Sequence, residues 1–181
     1  LWGGIGLQLF DKEREGFVDE TFTLINTNLN SPIFDLVVDN ELIWVSFAYQ
    51  FFAAFNQAKG KYNMYFPENS IWVPNLKIHQ VFLDEENKLW FATNNGLFKK
   101  VADPYTAFKP YKKTNDCDPH ISNDIYSINN SNNSTKLWIT TSTTIELFDK
   151  RSHSFSQVMS LPMNGDLVNF IYEDKSNYLW V

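Results

Sequence analysis

One loop gathers side chains of the types that ligate metals. The stretch "TNDCDPHISND", residues 114–124, contains Asp116, Cys117, Asp118, His120 and Asp124. A structural metal site takes three or four ligands, held by opposed segments of backbone. These candidates all come from one loop, and no CxxC or HxxxH partner occurs elsewhere in the sequence. We therefore predict a polar turn here, with no metal and no other cofactor.

Aromatic residues in two further loops are suited to binding a sugar. "FAYQ", residues 47–50, brings two aromatic rings beside an amide, and "FPENSIWVPN", residues 66–75, carries Trp72 between two prolines. A sugar ring needs a flat apolar face with convergent hydrogen bonds. The alternative is that Trp72 fills a hole beneath its own loop, because most Trp surface in proteins is buried. The predicted ligand-binding residues are Trp72, Phe47, Tyr49, Gln50, Asn94, Asn95 and His120.

Support for catalysis is weaker. Asp84, Glu85 and Glu86 are adjacent carboxylates, and we expect solvated charge at a hairpin tip. His79 and His153 fall within strand patterns and are expected to be packed or on the surface. No GxSxG, Walker-type or GxGxxG motif occurs, so we predict no catalytic residue. The net charge of −6 argues against a nucleic-acid partner, which would need a clustered basic surface.

The elements that position these residues follow from a repeat. Trp residues preceded by Leu or Ile stand at positions 2, 44, 90, 138 and 180, at intervals of 42, 46, 48 and 42 residues. Spacing of about 40–50 residues with strand-like content is typical of propeller blades. The five structural repeat anchors are therefore Trp2, Trp44, Trp90, Trp138 and Trp180.

Each repeat predicts four short antiparallel strands, called A to D. Strand A ends near an Asp that precedes the Trp by five or six residues, strand B carries the Trp, strand C follows small or polar residues, and strand D carries the last aromatic residue. Triplets such as LWF and IWV are apolar on both faces, so each sheet is expected to pack between two neighbours, with the Trp at the contact. The uncharged run at residues 42–58 is too short for a hydrocarbon core of roughly 30 Å and is predicted to form two buried strands.

The predicted fold is an all-β propeller with about four repeat units. The boundaries are a partial blade at 1–31, blades at 32–76, 77–122 and 123–165, and a partial blade at 166–181. Because the first and last segments both correspond to strand B, we predict a section of a larger ring. Its two apolar end faces should make the isolated section associate with itself. The predicted ligand-binding residues lie on D–A and B–C connections, which share one mouth of the channel in a propeller.

The repeat resembles a known family. The order of apolar run, Asp, short turn, "LW", small residues, "GL" and "FD" is similar to the two-component regulator propeller repeat, above all in "VFLDEENKLWFATNNGLFKK" (81–100) and "FIYEDKSNYLWV" (170–181). The resemblance implies a ligand-sensing segment of the periplasmic region of a hybrid two-component sensor histidine kinase, without catalysis in the segment itself. It also implies an oligosaccharide or other small ligand, and the remaining blades of the same receptor as partners. A propeller glycosidase or lyase and a protein-docking scaffold are the alternatives.

Overall fold

The computed structural model describes residues 2–4, 6–8, 10–17, 33–47, 52–56, 58–59, 61–65, 76–102, 107–113, 122–161 and 168–181. Every regular element within these ranges is a β-strand. The all-β prediction is therefore confirmed. None of the described segments forms a helix long and apolar enough to cross a membrane.

The strands form three four-stranded sheets with smaller pairs before and after them. The first two pairs are β1 (Trp2–Gly4) with β2 (Gly6–Gln8) and β3 (Phe10–Asp11) with β4 (Gly16–Phe17). Sheet I contains β5 (Ile33–Asp39), β6 (Leu42–Phe47), β7 (Phe52–Asn56) and β8 (Lys61–Tyr65). Sheet II contains β9 (Ile78–Leu83), β10 (Leu89–Thr93), β11 (Gly96–Ala102) and β12 (Ala107–Tyr111). Sheet III contains β13 (Ile125–Asn130), β14 (Lys136–Thr141), β15 (Thr144–Asp149) and β16 (Ser154–Ser160), and the final hairpin pairs β17 (Tyr172–Glu173) with β18 (Leu179–Trp180).

Each four-stranded sheet is an antiparallel meander in which neighbouring strands follow one another in sequence. The first strands of successive units lie together: β5 contacts β9, β9 contacts β13, and β13 contacts β17. The sheets therefore share an inner line of first strands, as the blades of a propeller do. The prediction of four-stranded blades in a section of a larger ring is confirmed, since the described strands do not close on themselves.

The repeated Trp residues lie between sheets. Trp44, Trp90 and Trp138 occupy the second strands of sheets I, II and III, with 0%, 1% and 8% of their surface exposed. Trp44 packs with Ile78 and other residues of sheet II, and Trp90 packs with Ile128 and other residues of sheet III. Burial of this size stabilises each junction by about 1.5–3 kcal/mol per large side chain. These three Trp residues therefore pack between blades.

The long uncharged run also folds as expected. Residues 42–47 and 52–56 form β6 and β7, which pair along their length and are almost entirely buried. Ala53 and Ala54 leave room for the aromatic rings of neighbouring strands, so that Phe52 and Phe55 bury against both faces of sheet I. Strands buried on both sides read as continuous apolar sequence, which explains the resemblance to a membrane segment.

The hairpin before Trp90 corrects one expectation. Asp84 was expected to be solvated with Glu85 and Glu86, but it is only 3% exposed. Its Oδ1 accepts hydrogen bonds from the backbone N–H groups of Glu86 (2.9 Å) and Lys88 (2.8 Å), and its Oδ2 accepts one from the indole N–H of Trp90 (2.9 Å). The turn places the Asp84 carboxylate against the indole N–H of Trp90. The carboxylate is therefore buried, whereas the side chains of Glu85 and Glu86 stay exposed.

A second correction concerns His153. It was expected within a strand, but it ends the turn between β15 and β16 with a φ of 59°. Asp149 caps this turn, because its Oδ1 accepts hydrogen bonds from the backbone N–H groups of Arg151 and Ser152. The His153 ring lies 5.0 Å, centroid to centroid, from Tyr111 of sheet II. It is therefore a turn residue that touches the neighbouring blade.

Candidate channel-mouth site

The first strand of each sheet begins with an irregular pairing. The register shifts between Ile33 and Asp35 in β5, opposite His79 in β9, and between Ile125 and Ser127 in β13. In each case one residue is skipped by the partner strand, and such a bulge redirects the side chain of the skipped residue. The skipped residues are Phe34, His79 and Tyr126. The three inner strands thus place an aromatic ring at the same level.

This level is one end of the sheets, which we call the mouth. It contains the starts of the first strands and the connections between the second and third strands. The connection at 93–96 makes two backbone hydrogen bonds here: the N–H of Asn94 donates to the carbonyl of Lys77 in its own blade at 3.1 Å, and the N–H of Gly96 donates to the carbonyl of Asn123 in the next blade at 2.7 Å. The mouth is therefore braced by backbone hydrogen bonds within sheet II and toward sheet III.

His79, Asp124 and Tyr126 form a polar cluster at the mouth. His79 Nε2 lies 2.8 Å from Asp124 Oδ1, and the hydroxyl of Tyr126 donates to Asp124 Oδ2 at 3.0 Å. The rings of His79 and Tyr126 stack with centroids 4.7 Å apart and planes inclined by 29°. The cluster joins two blades, because His79 belongs to sheet II and the other two residues belong to sheet III. We call these three residues the mouth cluster.

The mouth cluster is partly exposed. The side chains of His79 and Asp124 are 20% and 34% exposed. A carboxylate accepts hydrogen bonds, so Nε2 of His79 acts as the donor to Asp124. Among the described residues, none bonds Nδ1 of His79. Burial raises the pKa of Tyr126, and its hydrogen bond to Asp124 and the charge of Asp124 raise it further, so the phenol stays protonated at neutral pH. The cluster therefore offers a stacked aromatic surface beside fixed polar groups.

Two of the residues predicted to bind ligand border this cluster. Asn94 Oδ1 accepts a hydrogen bond from the N–H of Lys77 at 2.8 Å, and Asn95 Oδ1 accepts one from Nζ of Lys112 at 2.8 Å. Both residues are half-buried on the connection between β10 and β11. Their amide groups brace the mouth, and a ligand-binding role for them remains a prediction.

The remaining predicted residues are placed differently. Phe47 ends β6 with only 7% of its surface exposed, and it packs with Val45 and Phe55 on one face of sheet I. Such burial favours packing over contact with a ligand. The other predicted residues lie outside the described residues: Trp72, Tyr49, Gln50 and His120. Within the described ranges, no group of three His, Cys, Asp or Glu side chains is arranged to hold a metal ion.

A buried ion pair supports the mouth from below. Lys113, which follows β12, places its Nζ 2.6 Å from Glu146 Oε1 in sheet III and 2.9 Å from the carbonyl of Ser122. The two side chains are 11% and 6% exposed. The hydroxyl of Thr144 also donates to Glu146 Oε1. Removing one partner of a buried ion pair is strongly destabilising, because the other charge is left buried and uncompensated. The pair therefore holds sheet II against sheet III, close in sequence to Asp124 through the contact with Ser122.

Comparisons with known proteins give structural matches only. No protein-family model matches the sequence, and no curated protein matches it either. Among solved structures, the extracellular domain assigned to a hybrid two-component system of B. thetaiotaomicron matches with a TM-score of 0.70 and 16% identity, over 98% of this chain and 22% of that one. Virginiamycin B lyase of Staphylococcus aureus matches with a TM-score of 0.63 and 19% identity, over 82% of this chain and 47% of that one.

A third structure agrees with these two. The extracellular domain assigned to a one-component system of B. thetaiotaomicron matches with a TM-score of 0.54 and 16% identity, over 98% of this chain and 30% of that one. The chain thus spans between about a fifth and a half of the length of these proteins. At such identities the likeness shows the fold. The chain is a section of a β-propeller.

Sequence reasoning missed the central residues of this propeller's mouth. His79 was treated as a packed or surface residue, and Asp124 only as one member of a polar turn. The sequence does contain a signal for this level of the mouth. When the repeats are superposed so that the first-strand residues paired with Trp44, Trp90 and Trp138 coincide, Phe34, His79 and Tyr126 occupy the same position of the repeat. In the third strands, Glu146 of sheet III stands at the position that the buried Phe98 occupies in sheet II, since each pairs with the residue that follows the repeat Trp.

Proposed function

We propose that this propeller section belongs to the extracytoplasmic, periplasmic sensor region of a hybrid two-component histidine kinase. The propeller fold and its likeness to extracellular domains assigned to one- and two-component systems support this assignment. The repeat sequence around Trp90 and Trp180 supports it independently. The remaining blades of the same receptor are its structural partners, and the segment itself recognises ligand without catalysis.

The ligand is proposed to be carbohydrate-derived and to bind at the mouth. The observation that carries this proposal is the mouth cluster, in which a stacked His79–Tyr126 pair lies beside the carboxylate of Asp124. A sugar ring can stack on the aromatic surface while its hydroxyl groups bond to Asp124 and to Nδ1 of His79. Asn94 and Asn95 at the rim, with Trp72 and His120 on the neighbouring connections, would extend the same surface.

The position of the cluster suggests how binding is transmitted. His79 and Asp124 belong to different blades, so a ligand that contacts both favours one relative placement of sheets II and III. A ligand shifts a conformational equilibrium only by the difference between its affinities for the two states. A ligand that contacts both blades binds their two relative placements with different affinities, because moving the blades apart breaks its contacts with one of them.

Calorimetric titration with a panel of neutral and acidic oligosaccharides tests the proposal. We expect saturable binding to the wild-type chain and at least about tenfold weaker binding to His79→Ala and Tyr126→Ala, since each removes half of the stacked pair. His153→Ala is the matched control, because it removes a histidine from a turn away from the mouth. A parallel titration of Trp72→Ala shows whether the predicted platform contributes. Equal affinities of the His79 and His153 variants would contradict a ligand site at the mouth.

One observation favours a second candidate, a propeller glycosidase or lyase. A histidine hydrogen-bonded to a carboxylate, as His79 is to Asp124 at 2.8 Å, is suited to transferring protons. Incubation with the same oligosaccharide panel, followed by chromatography of the products, distinguishes the candidates. Product formation that is lost in His79→Ala would support the enzyme, whereas binding without turnover supports the sensor.

A further inference from the structure

The first strand of each blade has a free edge that faces the neighbouring blade. In their own sheets, β5, β9 and β13 pair with a second strand on one side only. Every second backbone N–H of such an edge strand therefore points out of its sheet. A buried N–H of this kind needs an acceptor from elsewhere, because leaving it unpaired costs free energy.

At two junctions the acceptor is a side chain of the preceding blade. Asp35 Oδ2 of sheet I accepts a hydrogen bond from the N–H of Val81 in sheet II at 3.0 Å. Gln80 Oε1 of sheet II accepts one from the N–H of Ile128 in sheet III at 2.6 Å. Asp35 and Gln80 occupy the same position of the repeat, since each pairs with the residue two positions after the repeat Trp of its sheet. One position of the first strand thus joins successive blades.

Ser127 stands at this position in sheet III. It pairs with Thr140, which is two residues after Trp138. A serine side chain reaches less far than that of Asp or Gln. Ser127 is fully buried, and its hydroxyl has no hydrogen-bond partner among the described residues. A buried polar group without a partner is rare in folded proteins, and an ordered water often satisfies it.

The matching donor is the N–H of Ile171, directly before the final hairpin. Ile171 stands one residue before the partner of the repeat Trp, as Val81 and Ile128 do in their blades. Its carbonyl accepts a hydrogen bond from the side-chain amide of Asn129 in sheet III at 2.6 Å. In extended backbone the N–H and the C=O of one residue point to the same side, so the N–H also faces sheet III. Ile171 is buried, and none of the described residues accepts a hydrogen bond from this N–H.

A third polar group borders these two. Thr140 lies opposite Ser127 on the same face of sheet III and is also fully buried. Its hydroxyl donates to the carbonyl of Val168 at 2.9 Å, so this face is turned toward the segment that leads into the final hairpin. The oxygen of Thr140 can still accept a hydrogen bond.

We propose that an ordered water molecule bridges Ser127 and Ile171 at the junction between sheet III and the final hairpin. The water accepts a hydrogen bond from the N–H of Ile171 and shares one with the hydroxyl of Ser127, and Thr140 supplies a third partner. Internal waters typically make about three hydrogen bonds to buried polar groups that lack other partners. The water takes the place of the carboxylate of Asp35 and the amide of Gln80 in the preceding junctions. It contributes to blade packing whatever ligand the mouth binds.

Oxygen-17 magnetic relaxation dispersion, which counts long-lived internal waters in solution, tests the proposal by comparing the wild type with Ser127→Gln. The longer side chain can bond the N–H of Ile171 directly, as Gln80 bonds its neighbour in the preceding junction. We expect the variant to hold one long-lived water fewer than the wild type. Its unfolding midpoint in urea should be equal or higher, because a direct hydrogen bond replaces the bridging water.

Ser127→Val is a second variant, which gives the same comparison if Ser127→Gln does not fold. Its methyl groups exclude the water and offer no hydrogen bond. We expect one long-lived water fewer and an unfolding equilibrium constant at least about fivefold larger, because the N–H of Ile171 then has no partner. Ser46→Ala is the matched control: Ser46 is also fully buried on a strand, but its hydroxyl donates to the carbonyl of Asp35 at 3.3 Å. Its removal should leave the water count unchanged.

Three results would overturn the proposal. The first is an equal number of long-lived waters in the wild type and in the folded Ser127 variants. The second is the loss of one water in Ser46→Ala as well, since the count would then not be specific to this junction. The third is a crystal structure of the wild type in which the hydroxyl of Ser127 bonds directly to a protein group.

Discussion

At the residue scale, the group that accepts the indole N–H differs between blades. Asp84 accepts it from Trp90 within one hairpin, and Asp174 accepts it from Trp180 at 3.0 Å in the same way. Sheet III has Ser131 at this position, and there the indole of Trp138 donates to Glu173 Oε2 of the next unit at 2.7 Å. In these three units the indole N–H is therefore satisfied, but by residues at different positions.

Replacing Asp84 tests the value of this buried acceptor. Asp84→Ala leaves the indole of Trp90, two backbone N–H groups and Lys150 without their shared acceptor. We expect the free energy of unfolding to fall by about 2–4 kcal/mol, measured by urea denaturation. Asp174→Ala is the matched control: it removes equivalent bonds to a Trp that is 61% exposed, so water can replace them. A loss for Asp174→Ala as large as that for Asp84→Ala would contradict this reasoning.

Glu173 should make stability depend on pH. Burial alone would raise the pKa of Glu173, but hydrogen bonds from Trp138, Asn132 and Ser131 lower it below the ordinary value of 4.5. The ionised form therefore stabilises the fold above about pH 4.5, and this contribution is lost as the pH falls through the folded-state pKa. Glu173→Gln should be less stable than the wild type at pH 7, with a difference that narrows on acidification.

Urea denaturation at a series of pH values between 3 and 7 measures this difference. The control is Glu41→Gln, which changes an exposed glutamate at a hairpin tip and should not reproduce the pattern. A difference between Glu173→Gln and the wild type that stays constant across the series would exclude Glu173 as its source.

The residue scale is also where sequence reasoning is least complete. The hydrogen bonds between Asp84 and its own turn are local, and an Asp at the start of a turn commonly makes them. Its burial also depends on Lys150, which comes from another sheet, and that contact is not local. The pairing of His79 with Asp124 likewise joins residues of two blades. Contacts of this kind depend on how blades stack, which a single repeat does not specify.

At the element scale, strand order and the positions of the Trp residues followed from periodicity. The four-strand unit could be predicted from the sequence, because each sheet is buried on both faces and each turn is polar. The bulges near the starts of β5, β9 and β13 could not be predicted from the sequence, since the register depends on both of the strands that pair. They nevertheless determine which residues reach the mouth. In this chain the bulges coincide with an aromatic residue at the second position of each first strand.

The turn that starts β11 depends on a glycine. Gly96 has a φ of 110°, and a Cβ at this position would lie 2.5 Å from the carbonyl oxygen of Tyr111. Gly96→Ala should therefore lower the free energy of unfolding by about 1–3 kcal/mol or more, as measured by urea denaturation. Gly16→Ala is the control, because its nearest contact would be an ordinary 3.7 Å from the carbonyl of Arg14. Equal stability of the two variants would show that the turn between β10 and β11 adapts without strain.

At the scale of the whole molecule, the blades form a stack whose last face is open. Trp44, Trp90 and Trp138 are each covered by the following unit, whereas Trp180 is 61% exposed. Its cross-strand partner Tyr172 is also exposed, as are several neighbours: Phe170, Tyr178 and Val181. An apolar surface of this kind marks an interaction site. In a larger ring we expect another blade to cover this surface, and in the isolated chain we expect a second copy to do so.

The isolated chain should therefore associate through this face. We expect sedimentation velocity to show a concentration-dependent shift toward dimer, and Trp180→Lys to weaken the association at least about tenfold, because it removes a large aromatic side chain from the contact. Val158→Lys is the matched control, since it places the same charge at a residue that is 50% exposed on the outer strand β16. Equal weakening by both variants would assign the contact to the outer edges of the blades. A strictly monomeric wild type would show that the open face is stable in water, and it would remove the need for a covering blade.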